Sequence, residues 1–286
     1  MKELKMLKRY GVILLFCAVS GLPDADAAEK FWNLERYWGG PRKPMVDISY
    51  GQSVMQHKLF AGEFSDLQTG GVKLGYFRAK PKFPNVGELD DKFLFFDYSS
   101  SDLFGGSTGG SSVNPELIRF GIGRREGYAY DFKSSYLYPY TQTAFSLTKL
   151  STTRPANMTP GDSAILDRFQ GDFRFGGIGE IGMAYGIGDV VAIRAGYENW
   201  VMNPRWVFWP WLGSYLIGSI GLELISSFGD DIVEGSPTLG PMIYTILRGA
   251  VIYGFAVLLR DAQYWPFRSE KPLTGEGFRV GMTFTF

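Results

Sequence analysis

Cysteine and histidine are nearly absent. The chain of 286 residues has one of each, Cys17 and His57. Cys17 falls in an amino-terminal segment expected to be removed, so the mature chain is left without disulfide or thiolate chemistry. One histidine leaves one candidate for serine–histidine catalysis. A net charge is also lacking: 29 basic side chains balance 29 acidic ones. That balance gives no reason to expect a nucleic-acid partner. Apolar residues make up only 45%, too few for a bundle of membrane helices. What is abundant is aromatic residues, at 16%, and glycine, with 37 residues. Gly-rich, aromatic-rich and modestly apolar is the composition of a sheet with one polar and one apolar face.

The first residues predict export. Lys2, Lys5, Lys8 and Arg9 form a basic start, and Gly11 to Leu22 is an apolar run too short to span a bilayer. Ala25-Asp26-Ala27 fits the small-x-small cleavage rule, so residues 1–27 read as a signal peptide. Phe16 before Cys17 is a poor match to a lipoprotein site. Residues 28–44, with Phe31, Trp32, Tyr37 and Trp38 broken by Gly and Pro, read as an aromatic lead-in.

Period-2 alternation then recurs. It predicts strands over 45–54, 70–79, 92–99, 116–126 and 136–149. A hairpin follows. Phe173, Phe175, Ile181, Met183 and Tyr185 share one face, and Arg174, Ile178, Glu180, Gly182 and Ala184 the other. Gly188-Asp189 makes its turn, and Val191, Ile193, Ala195 and Tyr197 return opposite Arg194, Gly196 and Glu198. Residues 55–69, 100–114 and 151–168 read as long loops at one end. The connections 80–91 and 127–135 read as longer than ideal turns.

The last ten residues alternate without error. Phe278, Val280, Met282, Phe284 and Phe286 lie on one face; Gly277, Arg279, Gly281, Thr283 and Thr285 lie on the other. This ending resembles the closing strand of bacterial outer-membrane β-barrels of the small OmpA/OmpX-like class. The resemblance implies that the five apolar residues act as an assembly signal. It also implies the barrel assembly machinery, outer-membrane lipid and lipopolysaccharide as partners, and a Gram-negative outer membrane as the location. No narrower family is indicated.

Residues 203–265 break the pattern. Leu212–Phe228 and Met242–Arg260 are apolar runs, and the second repeats at helical spacing. Gly229 to Pro237 is a polar break, and Pro241 is placed to start a helix. The expected fold is therefore all-β with a helical insert: an antiparallel transmembrane barrel over 45–286, with an apolar helical hairpin before the last of eight strands. Two further strands, making ten, are the alternative. Strand parity puts the insert on the loop side, where apolar helices are uncomfortable in water. The barrel mouth, the outer leaflet and a different strand count stay open as answers.

Asp47, Lys73, Asp97, Arg119, Arg174, Glu180, Arg194, Glu198 and Arg279 all fall on the expected inner face. Charges in a narrow lumen must be paired or solvated. A salt-bridged filling is one reading and a narrow ion path the other; eight strands leave just enough room for side chains. Glu180 and Arg194 are expected cross-strand partners. Tyr136, Tyr138, Tyr140, Tyr185, Tyr197 and Trp200 read as interface anchors. His57, with Ser53, Glu63 and Asp66 nearby, is where a lipid A-modifying enzyme would place a catalytic group, but no motif of such enzymes surrounds it. Asp230, Asp231 and Glu234 lack the spacing of an EF-hand. No catalytic residue, metal or cofactor is therefore assigned. The function expected is a structural or surface-interaction role in the envelope. A pore or conduit gated by the insert, and a lipid-modifying enzyme using His57, are the alternatives.

Overall fold

Alternation on this scale needs a closed sheet, because an open one would leave long unpaired edges. The computed structural model describes residues 42–83, 85–103, 112–132, 134–188, 190–267 and 269–286. The expected signal peptide and nearly all of the aromatic lead-in lie outside them. The chain from Lys43 onward forms one unit. It contains β1 (Lys43–Gln56), β2 (Leu67–Phe83), β3 (Val86–Ser100), β4 (Asn114–Asp131), β5 (Ser135–Thr153), β6 (Arg174–Ile187), β7 (Val191–Met202) and β8 (Leu273–Thr285). These pair in sequence order as a closed antiparallel barrel, with β8 joined to both β7 and β1. The count is eight, not ten.

Strands extend where the sequence suggested connections. β2 and β3 run through most of 80–91, with Asn85 between them at φ 60°. β4 and β5 take most of 127–135. The signal was missed because the outward residues there, Lys80, Glu88 and Asp90, are charged, so no apolar face announces a strand. All the short turns now lie at one rim, the turn rim, and all the long connections at the other, the loop rim. The loop of residues 154–173 also holds a short helix, α1 (Pro160–Asp167), capped by Thr159 Oγ1 accepting from the Asp162 N–H at 3.1 Å.

The strands are staggered. From Ile48, the row of opposed residues passes Val72, Phe96, Phe120 and Leu147 to Phe175 on β6. In the other direction it passes Met282 and Ile193 to Tyr185, ten residues from Phe175 (185 against 175). A stagger of this size tilts strands by about 35–45°. The outer face carries an apolar band, with Leu94 61% and Val280 51% exposed.

The insert is helical, with one helix more than a hairpin: α2 (Phe208–Ser227), α3 (Gly229–Gly235) and α4 (Gly240–Asp261). At 20 and 22 residues, α2 and α4 are each about 30 Å long. By length and composition α4 suffices to cross a membrane. The insert enters no barrel mouth. It runs down the outer wall and back. At the turn rim Tyr128 donates to Asp230 at 2.6 Å and Tyr130 to the Thr238 carbonyl at 2.8 Å. At the loop rim Arg260 meets Glu276 at 2.5 Å and Lys58 meets Asp261. The close approach rests on two glycines. A Cβ on Gly249 would stand 2.2 Å from Ile181 Cδ1, and one on Gly179 2.4 Å from Ile252. Ile181 and Gly179 point outward, alternating with buried Glu180. Each surface thus receives an isoleucine from the other.

Replacing Gly249 with leucine should push α4 off β6 while leaving the barrel closed. Overpacking costs about 1–3 kcal/mol. It is expected to appear as a lower urea midpoint and faster proteolysis at 236–239.

Candidate functional site

Inside the barrel, side chains that alternate with the outer band meet in a space too narrow for water to separate them. Asp47 is held by Arg194 through two bonds of 2.7 Å, accepts from Thr283 at 2.7 Å and lies 3.4 Å from Arg125. Glu180 accepts from Tyr140 at 2.5 Å, Gln142 at 3.0 Å and Arg194 at 3.1 Å, with Lys73 at 3.8 Å. Asp97 accepts from Arg279 at 2.9 Å and from Arg119 at 3.1 Å. Glu198 lies 3.1 Å from Arg119 and 3.2 Å from Arg279. Lys73 also donates to Gln142 at 2.6 Å and sits 4.9 Å over the Phe93 ring. Gly71 makes room: a Cβ there would stand 2.1 Å from an Asp97 carboxylate oxygen.

Eight of the nine inward charges expected from sequence join this network. Arg174 does not. It sits at the loop end of β6, partly exposed, with its Nε buried and unpartnered among the described residues. Two members went unrecognised, Asp91 and Arg125, which pair at 2.7 Å. Arg125 is one of two adjacent arginines; it continues the inner parity of Arg119 within the strand expected over 116–126, while Arg124 points out. Asp91 precedes the apolar run that marked β3. With these two, five cations (Lys73, Arg119, Arg125, Arg194, Arg279) face five anions (Asp47, Asp91, Asp97, Glu180, Glu198). The Glu180–Arg194 contact forms diagonally. Directly opposite Glu180 is Glu198, and opposite Arg194 is Ala184. Only a side chain as long as arginine spans that offset.

The lumen is filled beyond the charges. Toward the loop rim, Leu67, Leu117, Leu150, Trp200, Met202 and Leu273 close it, with Phe169 packed on them. Toward the turn rim Leu89, Ala129, Tyr138, Tyr140 and Ala184 pack together. This corrects the reading of Tyr138, Tyr140 and Trp200 as interface anchors. All three point inward and are buried, because they share parity with Gln142 on β5 and Glu198 on β7. Tyr136 packs with the turn-rim group too. Tyr185 and Tyr197 do lie on the outward parity, alongside Ile193.

A second polar cluster lies on the outer wall. Arg248 of α4 is buried against Glu126 of β4, donates to Thr141 at 3.2 Å and meets Ser226 of α2. Arg124 bonds Asp90 at 2.7 Å and Glu126 at 2.8 Å. The inward set alone had been read as charged, so this cluster was missed, although Arg124 and Glu126 continue the parity of Ile118 and Phe120.

His57 lies at the loop rim, half-buried edge-on to Phe169 at 5.7 Å. Its Nδ1 accepts from the Leu59 N–H at 3.3 Å, and Nε2 lies 3.3 Å from the Lys271 carbonyl. An accepting Nδ1 places the proton on Nε2, the donor to Lys271. Burial holds its pKa below the ordinary 6.5. Both nitrogens are thus engaged by backbone. In the acidic group, Asp230 ties α3 to the barrel through Lys82 at 2.8 Å and through Tyr128, and these bonds lower its pKa. Among the described residues no group of His, Cys, Asp or Glu is arranged to hold a metal ion. On β8, Phe278, Val280, Met282 and Phe286 are exposed outward, and Phe284 is half-covered.

No family model matches the chain, and no curated protein matches it. Among solved structures it is similar to Neisserial surface protein A, at 11% identity over 86% of this chain and 100% of that one, with a TM-score of 0.39. It is similar to Ail, the attachment invasion locus protein of Yersinia pestis, at 8% identity over 86% and 100%, TM-score 0.33. CarO of Acinetobacter baumannii gives 8% over 85% and 97%, TM-score 0.17. At these values the likenesses carry no argument, and the barrel rests on its own strand pairing.

Arg194→Leu should leave Asp47 and Glu180 short of a counter-ion. Breaking a buried pair costs about 3–5 kcal/mol, read by urea unfolding in lipid vesicles. Arg194→Leu combined with Asp47→Leu should lose less than the sum of the two single changes.

Proposed function

We propose that the chain is a membrane-embedded, non-enzymatic β-barrel of the Gram-negative outer membrane, serving the envelope through its loop rim. One observation carries this reading: the sheet is closed, apolar outside and charged but filled inside. That is the inverse of a water-soluble barrel. A closed sheet satisfies every strand's backbone groups within itself, which is what a hydrocarbon surround demands. Ile48, Leu74, Leu94, Phe96, Val280 and Met282 form the lipid-facing band. The outer-membrane location draws on the basic and apolar start of the chain and on the alternating end at Phe286. The residues Phe278 to Phe286 then act as the assembly signal toward the barrel assembly machinery.

A lumen whose charges pair with one another and whose two ends are packed with apolar side chains disfavours a conduit. The insert does not act as a plug, because it lies on the wall. His57 disfavours the enzyme reading: its two nitrogens serve the Leu59 and Lys271 backbone. What is left to act is the loop rim. There Lys58, Arg168, Arg205 and Lys271 are set among Asp261 and Glu270, at the level of lipopolysaccharide headgroups.

With Cys17 inside the expected signal segment, single cysteines report topology. Ala156→Cys should label in intact cells with an impermeant maleimide. Ser236→Cys, at the turn rim, should label only once the outer membrane is opened. The reverse pattern overturns the orientation. Thr108, a further candidate in the loop of residues 104–111, lies outside the described residues. Purified protein in planar bilayers should show no steady conductance; a reproducible open level would restore the pore reading.

A further inference from the structure

The outer wall turns aromatic at the loop end of β4 to β6. Ile118, Phe120 and Phe173 are exposed there, and so is Trp206, just past β7. The rings of Phe120 on β4 and Phe173, just before β6, meet edge-on at 5.2 Å. They meet over β5, where Leu147 stands opposite Phe120 and Lys149 opposite Ile118. Phe145, Phe175 and Trp206 continue the ring contacts at 5.5 and 5.3 Å. This aromatic shelf thus runs from β4 to the lead-in of α2. Arg205 precedes Trp206 at its far end.

The height of the shelf follows from the stagger. Ten residues of climb around eight strands is about 1.25 residues per strand. The row from Ile48 on β1 reaches Leu147 on β5, four strands on. Corrected for about 5 residues of climb, Gln142 is level with Ile48. Lys149 lies seven residues farther toward the loop rim (149 against 142). At about 3.3 Å per residue and a tilt near about 40°, that is about 18 Å above mid-wall. An apolar band about 25 Å tall ends about 12 Å above its middle. Lys149 therefore stands at headgroup height.

Rim aromatics alone are ordinary interface anchors. The cations among them are what calls for a partner. Lys149 makes no hydrogen bond or ion pair among the described residues. Arg205 is 63% exposed and meets Glu270 through Nε alone, at 3.2 Å. The same carboxylate lies 3.9 Å from Arg168, which is also mostly exposed. One acid thus serves two guanidinium groups. Two further acids adjoin the shelf, Glu116 and Asp172. They stand on the loop side of Ile118 and Phe173 and form no ion pair among the described residues.

We propose that a diphosphorylated glycolipid of the outer leaflet binds this shelf, its sugar packed on Phe120 and Phe173 and its phosphates held by Lys149 and Arg205. The proposal rests on the membrane reading above, with the loop rim outward, and names the partner of that rim. Lys149 on β5 and Arg205 past β7 are two strand spacings apart, about 10 Å between backbones. That span suits two phosphates on one headgroup. Between them the rings offer a flat apolar face to the C–H face of a sugar. A phospholipid with a single phosphate uses neither feature. Amine and guanidinium both form charge-assisted bonds to phosphate oxygen.

The test is native mass spectrometry of the purified protein in micelles with diphosphoryl lipid A, monophosphoryl lipid A or phosphatidylglycerol. Diphosphoryl lipid A is expected to bind best, and to be weakened about tenfold by Lys149→Glu and again by Arg205→Glu. Lys80→Glu, on the outer wall at the turn rim, should change nothing. Phe173→Ala should weaken lipid A and leave phosphatidylglycerol unaffected. Heat-modifiable migration on gels shows each variant folded. Equal binding of phosphatidylglycerol or of the monophosphoryl form overturns the proposal. So does lipid A binding that survives both charge reversals in a folded barrel. Folded protein that does not float with lipid vesicles fails the membrane reading instead.

Discussion

Ten ionisable side chains inside a ring of eight strands must be paired or solvated, and eight strands leave little more room than the side chains themselves take. The arrangement achieves this with mostly non-local partners. Asp47 on β1 is bound by Arg194 from β7 and Thr283 from β8. Asp97 on β3 is bound by Arg279 from β8 across the lumen. Each acid therefore ties distant strands together, and the register of one strand pair constrains the others. A one-residue slip anywhere would carry inner charges to the outer, apolar face. The apolar band, the filled lumen and the stagger all depend on this pairing.

The same rule, applied to the outer face, explains why strands β4 to β6 interrupt the apolar band. Their outward positions include Glu126, Thr141, Thr143, Gly177 and Gly179 where the far side carries Ile48, Val280 and Met282. Glu126, Thr141 and Gly179 meet α4: the small Gly179 lets the helix approach, while Thr141 and Glu126 receive Arg248. The wall is patterned for a helix there and carries an apolar band elsewhere.

Much of this was legible in the chain. Strand count, closure, the helical nature of residues 203–265 and eight inner charges follow from parity and from the change of period from 2 to 3.6. What was not legible has specific causes. Strand ends at Phe83 and Val86 were hidden because the outward residues beside them, Lys80, Glu88 and Asp90, are charged, and the pattern sought was apolar. Arg125 stood on the inner parity of Arg119 and was passed over beside Arg124, and Asp91 lay just before the stretch that marked β3. Tyr138, Tyr140 and Trp200 looked like anchors because aromatic identity was weighed above parity, and parity was the better guide. The path of the insert depended on contacts between Gly249 and Ile181 and between Gly179 and Ile252, which no local pattern announces. Arg174 shares the inner parity, yet it stands too near the loop rim to reach the other charges.

The position of the insert in the chain sets an order of events. β8 closes the barrel, yet it is made only after α2, α3 and α4. In a membrane-spanning chain, α3 carries Asp230, Asp231 and Glu234 to the turn rim, while β7 ends and β8 begins at the loop rim. The acidic turn and the two strand ends thus finish on opposite sides of the apolar layer. Sealing the ring and seating the helices are then one problem for the assembling chain. The seam between β7 and β8 is spanned by a tether that must itself be threaded, and the last strand is held waiting by the helices that precede it.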